Sequence, residues 1–221
     1  MKKIRTVSLA TLLMASAIAT SCDSHEPYDP DVHIGYILCD DHTCMDTATY
    51  FNQTRRKAIG VVFAERTALH PALIVNIRET SGAFCDSVGM SNGTSGDLAE
   101  LDGFTNTIAM YQSYNYETGK GSPIAMAMMD FHEKGQSDYI PSVAEQRMLQ
   151  RAATTINPII RRCGGTAIDT GSDGWYWTST EVKENSGAQA WLCSSANGGI
   201  MPTPKTEEHK VRAIFQFNTS E

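Results

Sequence analysis

The sequence has no apolar segment long enough to cross a membrane. Its N-terminal run, Val7 to Ala19, is 13 residues, whereas a spanning helix needs about 20. It also lacks a basic excess: 18 Lys and Arg stand against 25 Asp and Glu, a net charge of −7. Lys2, Lys3 and Arg5 fall in the first 21 residues, which hold no acid, so the rest carries 15 cations against 25 acids. Such a balance argues against nucleic acid or an anionic membrane surface as partner. There is no Gly-x-Ser-x-Gly elbow and no phosphate-binding glycine loop. His132-Glu133 does not open a zinc-protease motif, because Gln136 stands where the second histidine is required. What remains is a chain of 221 residues, 41% hydrophobic and 19% charged, enough for one globular domain with a core.

The start of the chain is an address. A basic n-region followed by a short apolar run is the pattern of an export signal. It ends Ile18-Ala19-Thr20-Ser21-Cys22, small residues running into a cysteine, which resembles the lipobox of bacterial lipoproteins. The expectation is a signal peptide over 1–21, acyl chains on Cys22 and a polar tether over 22–33. Acyl chains would hold the protein at a membrane without a spanning helix; the expected site is the outer membrane of a Gram-negative cell, and its surface. Of the remaining cysteines, Cys39, Cys44, Cys85, Cys163 and Cys193, an odd number leaves room for at most two disulfides. Cys39 and Cys44 are close enough in sequence for a local bridge, and Cys163 and Cys193 are candidates to staple distant elements. The pairing does not follow from spacing.

Hydrophobic patterning predicts short strands at both ends with helices between. Ile34–Cys39, Ala58–Ala64 and Ala72–Arg78 read as strands. Residues 81–103 are rich in Gly, Ser, Asn and Asp and read as a long surface loop. Thr105–Tyr114 and Pro123–Glu133 read as helices. Ser142 and Glu145 form a capping box at the head of an apolar repeat, Leu149, Ala152, Ile156 and Ile160, with Pro158 expected to split it into two helices and Gly164-Gly165 to stop it. Trp175–Thr180, Ala188–Cys193 and Val211–Phe217 read as strands, the last with Val211, Ala213, Phe215 and Phe217 on one face. The class is α+β in one domain.

The ordered set Ile59-Gly-Val-Val-Phe63, Asp102-Gly-Phe-Thr-Asn-Thr107, Tyr139-Ile-Pro-Ser142 with Glu145, Tyr176-Trp-Thr-Ser-Thr-Glu181, Ala190-Trp191, Lys210-Val-Arg212 and Phe215-Gln-Phe217 resembles the Lcl-type C-terminal domain. That domain of unknown function occurs in envelope lipoproteins of Gram-negative anaerobes and is itself similar to the C-type-lectin-like fold of formylglycine-generating enzymes. The resemblance spans residues 34–218. It implies a single C-type-lectin-like domain with short antiparallel strands at both ends and two to four helices between. It carries fold further than activity, since that scaffold hosts enzymes, lectins and inert modules.

Candidate contact residues are Trp175, Trp177, Glu181 and Trp191, because indole stacks on sugar faces and keeps a hydrogen-bond donor. The competing reading is that these rings are core, with Glu181 paired to Arg212 or capping a turn. Asp169, Asp173 and Glu181 are a weak calcium candidate, with oxygen ligands spaced before a Gly turn; otherwise no cofactor or metal is expected. The functional expectation is a non-catalytic envelope lipoprotein that binds a glycan or an envelope protein. The alternative is an accessory or structural part of a surface appendage, and the third is an enzyme of unknown reaction.

Overall fold

The computed structural model describes residues 32–53, 55–128 and 138–217. The expected signal segment, Cys22, nearly all of the expected tether and the end of the second expected helix lie outside the described residues. The elements are β1 (Ile37–Cys39), β2 (Cys44–Met45), α1 (Thr47–Phe51), β3 (Ala58–Ala64), β4 (Ala72–Asn76), β5 (Thr80–Ala83), α2 (Gly103–Gln112), α3 (Pro123–Met128), α4 (Val143–Arg162), β6 (Trp175–Glu181), β7 (Gln189–Ser194), β8 (Ile200–Pro204), β9 (Glu208–Val211) and β10 (Ile214–Phe217). The strands form two five-stranded sheets, ordered β10-β4-β3-β1-β2 and β5-β9-β6-β7-β8. The first is antiparallel throughout; in the second only β6 and β9 run parallel. This is the α+β class expected from the sequence.

The β3 and β4 segments are unbroken apolar runs because both faces of their sheet are covered. Val61, Phe63, Leu73 and Val75 pack on one side with Leu149, Ala153, Ile156 and Ile160 of α4. Leu38, Val62, Ile74 and Phe215 pack on the other side with Val32. Val32 is buried and His33 bonds Glu65, so the end of the expected tether belongs to the domain. Helix α4 also packs against β6 and β7, and so lies between the two sheets. The opposite face of the second sheet, with Trp177, Ala190, Leu192 and Val211, is covered by Met110 of α2 and Ile124 and Met128 of α3.

Helix α4 begins at the expected box. Ser142 Oγ accepts from Glu145 N at 3.3 Å, and Glu145 Oε2 accepts from Ser142 N at 2.8 Å. Glu145 is buried and also accepts the Tyr139 hydroxyl at 3.0 Å; burial pushes its carboxyl above the ordinary range. Pro158 does not split the helix, which runs unbroken to Arg162. A proline removes one i→i−4 bond, but Pro158 and the carbonyl-bearing Thr154 both face solvent, where water can satisfy the freed oxygen. The stop is at Gly164, whose φ of +81° only glycine adopts easily.

The expected last strand is two strands in two sheets. Val211 ends β9 in the second sheet, and Ile214 begins β10 in the first. Arg212 stands at this crossing with its guanidinium buried. Nη1 donates to the Asn76 and Arg78 carbonyls at 3.3 and 3.0 Å, and Nη2 to Glu79 Oε2 and the Thr166 carbonyl, both at 2.8 Å. Residues 76–79 are the other crossing between the sheets, so one side chain ties both.

Gly103 sits where a Cβ would overlap Glu145 Oε2 and stand 2.7 Å from the Ile140 carbonyl oxygen. Replacing Gly103 with Ala is expected to lower stability by about 1–3 kcal/mol, the usual penalty of overpacking. Denaturant unfolding of the two proteins measures it.

Candidate functional site

Nineteen residues without helix or strand join Ala83 to Gly103, and their order depends on one carboxylate. Glu181 ends β6 after an irregularity in its pairing with β7 and is almost fully buried. Its Oε1 accepts Asn92 N at 2.7 Å and the Lys205 ammonium. Its Oε2 accepts Ser91 Oγ at 2.8 Å and both N and Oγ1 of Thr94 at 3.0 Å. Lys205, with a side chain 0% exposed, also donates to Asn92 Oδ1 at 2.8 Å and the Met90 carbonyl at 3.4 Å. Burial disfavours the charged carboxylate, but Lys205 and the loop donors outweigh it and hold Glu181 below the ordinary glutamate range.

The loop so held forms one wall of a cleft of about 320 Å³. The other wall is the turn 113–121, closed by an antiparallel bridge between Asn115 and Lys120. The walls are joined at their base, where Asp86 N donates to the Gly121 carbonyl and Gly121 N to Asp86 Oδ1, each at 3.0 Å. The floor is internally satisfied: Asn92 Nδ2 donates to Ser113 Oγ at 2.7 Å and to the Cys85 sulfur at 3.6 Å, and Ser113 Oγ to the Met110 carbonyl at 2.6 Å. The rim consists of Ser87, Val88, Met90, Asn115, Thr118 and Lys120. Its polar ends face a space of the size small-molecule pockets have.

The residues singled out from the sequence lie elsewhere. Trp177 is core, 0% exposed; its Nε1 donates to the Gly82 carbonyl at 3.1 Å, and its ring meets Phe84 edge-on. Trp175 packs against the same cluster. Trp191 is opposite Pro202 on β8, one position out of phase with Leu192, the partner of Trp177. Strand alternation therefore puts Trp191 on the face opposite Trp175 and Trp177, so the three indoles do not form one surface. The calcium trio is not assembled. Asp169 Oδ2 is 2.6 Å from Lys210 Nζ, Asp173 is exposed, and Glu181 is engaged with Lys205. Among the described residues no three His, Cys, Asp or Glu stand in a metal-holding group. Glu181 pairs with Lys205, and Arg212 pairs with Glu79.

All five described cysteines are free thiols. Leu38 is opposite Cys44, so Cys39 is out of phase with Cys44 and their side chains alternate to opposite faces; Cys44 packs with Leu38. Burial raises the Cys44 thiol to about 12, and those of Cys163 and Cys193 to about 11.

No family model matches the chain, and no curated protein matches it. Among solved structures it is similar to a fimbrial protein from Bacteroides ovatus ATCC 8483, with a TM-score of 0.65 and 14% identity. The match covers 84% of this chain and 49% of that one, so the chain spans about half the length of that protein. At this identity the likeness is one of fold.

Removing one partner of the buried pair leaves the other charge unpaired. Glu181→Gln and Lys205→Met are each expected to destabilise the protein by about 3–5 kcal/mol at neutral pH, and the double variant by less than their sum. Because the folded-state pKa of Glu181 is lowered, its contribution is present above the ordinary value of 4.5 and is lost as pH falls through the folded value. The stability gap between the parent and Glu181→Gln is therefore expected to narrow in acid. Denaturant titrations from pH 7 to pH 3 measure it.

Proposed function

We propose that the chain is an envelope lipoprotein, anchored through acylated Cys22, whose domain works at the cell surface by binding. The observation that supports this reading best is the cleft, with its satisfied floor and its rim of hydroxyl, amide and ammonium groups. Catalysis would ask for a nucleophile or acid–base pair aimed at one point. Here the strongly held carboxylate, Glu181, turns inward to a lysine and a loop. The family resemblance drawn from the motifs agrees with a binding module on a lectin-like scaffold. A glycan is the ligand class this reading favours, and an envelope protein the next.

A second reading is a component of a surface appendage. It is supported by the likeness of fold to a fimbrial protein. Both readings place the domain outside the cell, and they differ in what the domain touches.

In its native host, the full-length chain is expected to take up a clickable fatty acid, and Cys22→Ser to take up none. Surface proteolysis of intact cells is expected to remove the domain. Retention on a glycan array by the detergent-purified lipoprotein supports the first reading. A blank array with co-isolation in sheared surface filaments supports the second.

A further inference from the structure

We propose that the cleft between residues 85–92 and 113–121 holds a carboxylate-bearing sugar unit, gripped by Asn115 and Lys120. The proposal rests on the reading of the chain as a binding module and names its ligand. Asn115 and Lys120 are direct partners in an antiparallel bridge, which sets their Cβ atoms about 5 Å apart on one face. Asn115 Oδ1 is spent on its own turn, accepting Glu117 N at 2.9 Å and Thr118 N at 3.0 Å. Its Nδ2 is thereby the end left for a ligand. The Lys120 ammonium forms no ion pair within 4.0 Å among the described residues. An amide N–H beside an ammonium is a fork for one carboxylate, with charge-assisted hydrogen bonds to both oxygens.

The rest of the cleft suits a sugar ring. Ser87 and Thr118 offer hydroxyls, which both donate and accept. Val88 and Met90 are exposed apolar side chains at the rim on which the C–H face of a ring can rest. The space is at the small end of the range of about 300–1,000 Å³ for ligand pockets, so it fits a terminal unit rather than a long chain. A single cation in the lining of the cleft, on an acidic chain, suits a monoanion better than a dianionic phosphate. Both walls are held before any ligand arrives, one by Glu181 and Lys205 and the other by the turn at Asn115. Little ordering is left to oppose binding.

The test uses the full-length lipoprotein in detergent on an array holding uronic-acid-terminated, sialylated, sulfated and neutral glycans. Binding is expected on carboxylated glycans and not on their methyl esters. Lys120→Met and Asn115→Asp are each expected to weaken it at least roughly tenfold, the loss of one charge-assisted bond or its replacement by repulsion. Asn115→Asp keeps the acceptor that the turn needs, and Lys120 is exposed, so neither variant is expected to shift the melting temperature. Equal binding of neutral glycans, or binding indifferent to Lys120→Met, overturns the acidic ligand and leaves the binding module standing. Preference for sulfated over carboxylated glycans overturns it as well. A blank array with every glycan overturns both the ligand and the glycan-binding reading it rests on.

Discussion

Both passages of the chain between its two sheets run past the guanidinium of Arg212. The first passage, from β4 to β5, presents the carbonyls of Asn76 and Arg78 and the carboxylate of Glu79; the second carries Arg212 itself. A buried cation costs several kcal/mol in lost hydration unless its donors and charge are matched. Its two Nη groups are matched, and its Nε is not; the match needs Asn76, Arg78, Glu79 and Thr166 at once, which holds only when both crossings are in register. Tyr176 adds to it from β6, its hydroxyl donating to Glu79 Oε2 at 2.8 Å. Strands β4 and β10 of the first sheet thereby depend on residues held in the second.

The same device recurs at the opposite end of β6. A connection of nineteen residues without regular structure is unusual in a compact domain, and its backbone donors need partners. Glu181 supplies them for Asn92 and Thr94, and Lys205 takes the Met90 carbonyl. A carboxylate and an ammonium that must not face water are used to give a loop one conformation. The cleft is a consequence of that anchoring. The floor groups bond to one another, and what stays unspent lies at the rim.

This division bears on chemistry. A wall made rigid from behind by a buried ion pair keeps its outward groups preorganised without a lid or a metal. Placing the rim of the cleft on loops, over a frame of sheets and one long helix, agrees with how binding surfaces are commonly distributed in proteins. Beyond its first 21 residues the chain is acidic, so a lysine at the mouth stands out electrostatically more than it would on a mixed surface.

What was legible in the sequence is what short-range rules encode. The Ser142–Glu145 box, the apolar period of α4 and its glycine stop, the doubly buried β3 and β4, and the α+β class all follow from spacing within a few residues. Period-two alternation from Val211 to Phe217 was legible too, but a strand's pattern does not say which sheet it joins, and the change of sheet at Arg212 left no local mark. Pro158 read as a break because sequence does not reveal that Thr154, whose carbonyl it leaves without a donor, stands on the exposed side of the helix. Of the tryptophans grouped on neighbouring strands, Trp191 separates from Trp175 and Trp177 onto the opposite face once register is set. The partners of Glu181 lie 24 residues ahead and about 90 behind, and those of Arg212 lie 46 to 136 behind. Sequence determined the elements, because caps and periodicity act through neighbours; tertiary structure alone decided the charge pairs and the cleft, because burial in a shared low-dielectric interior is what selects one partner from many.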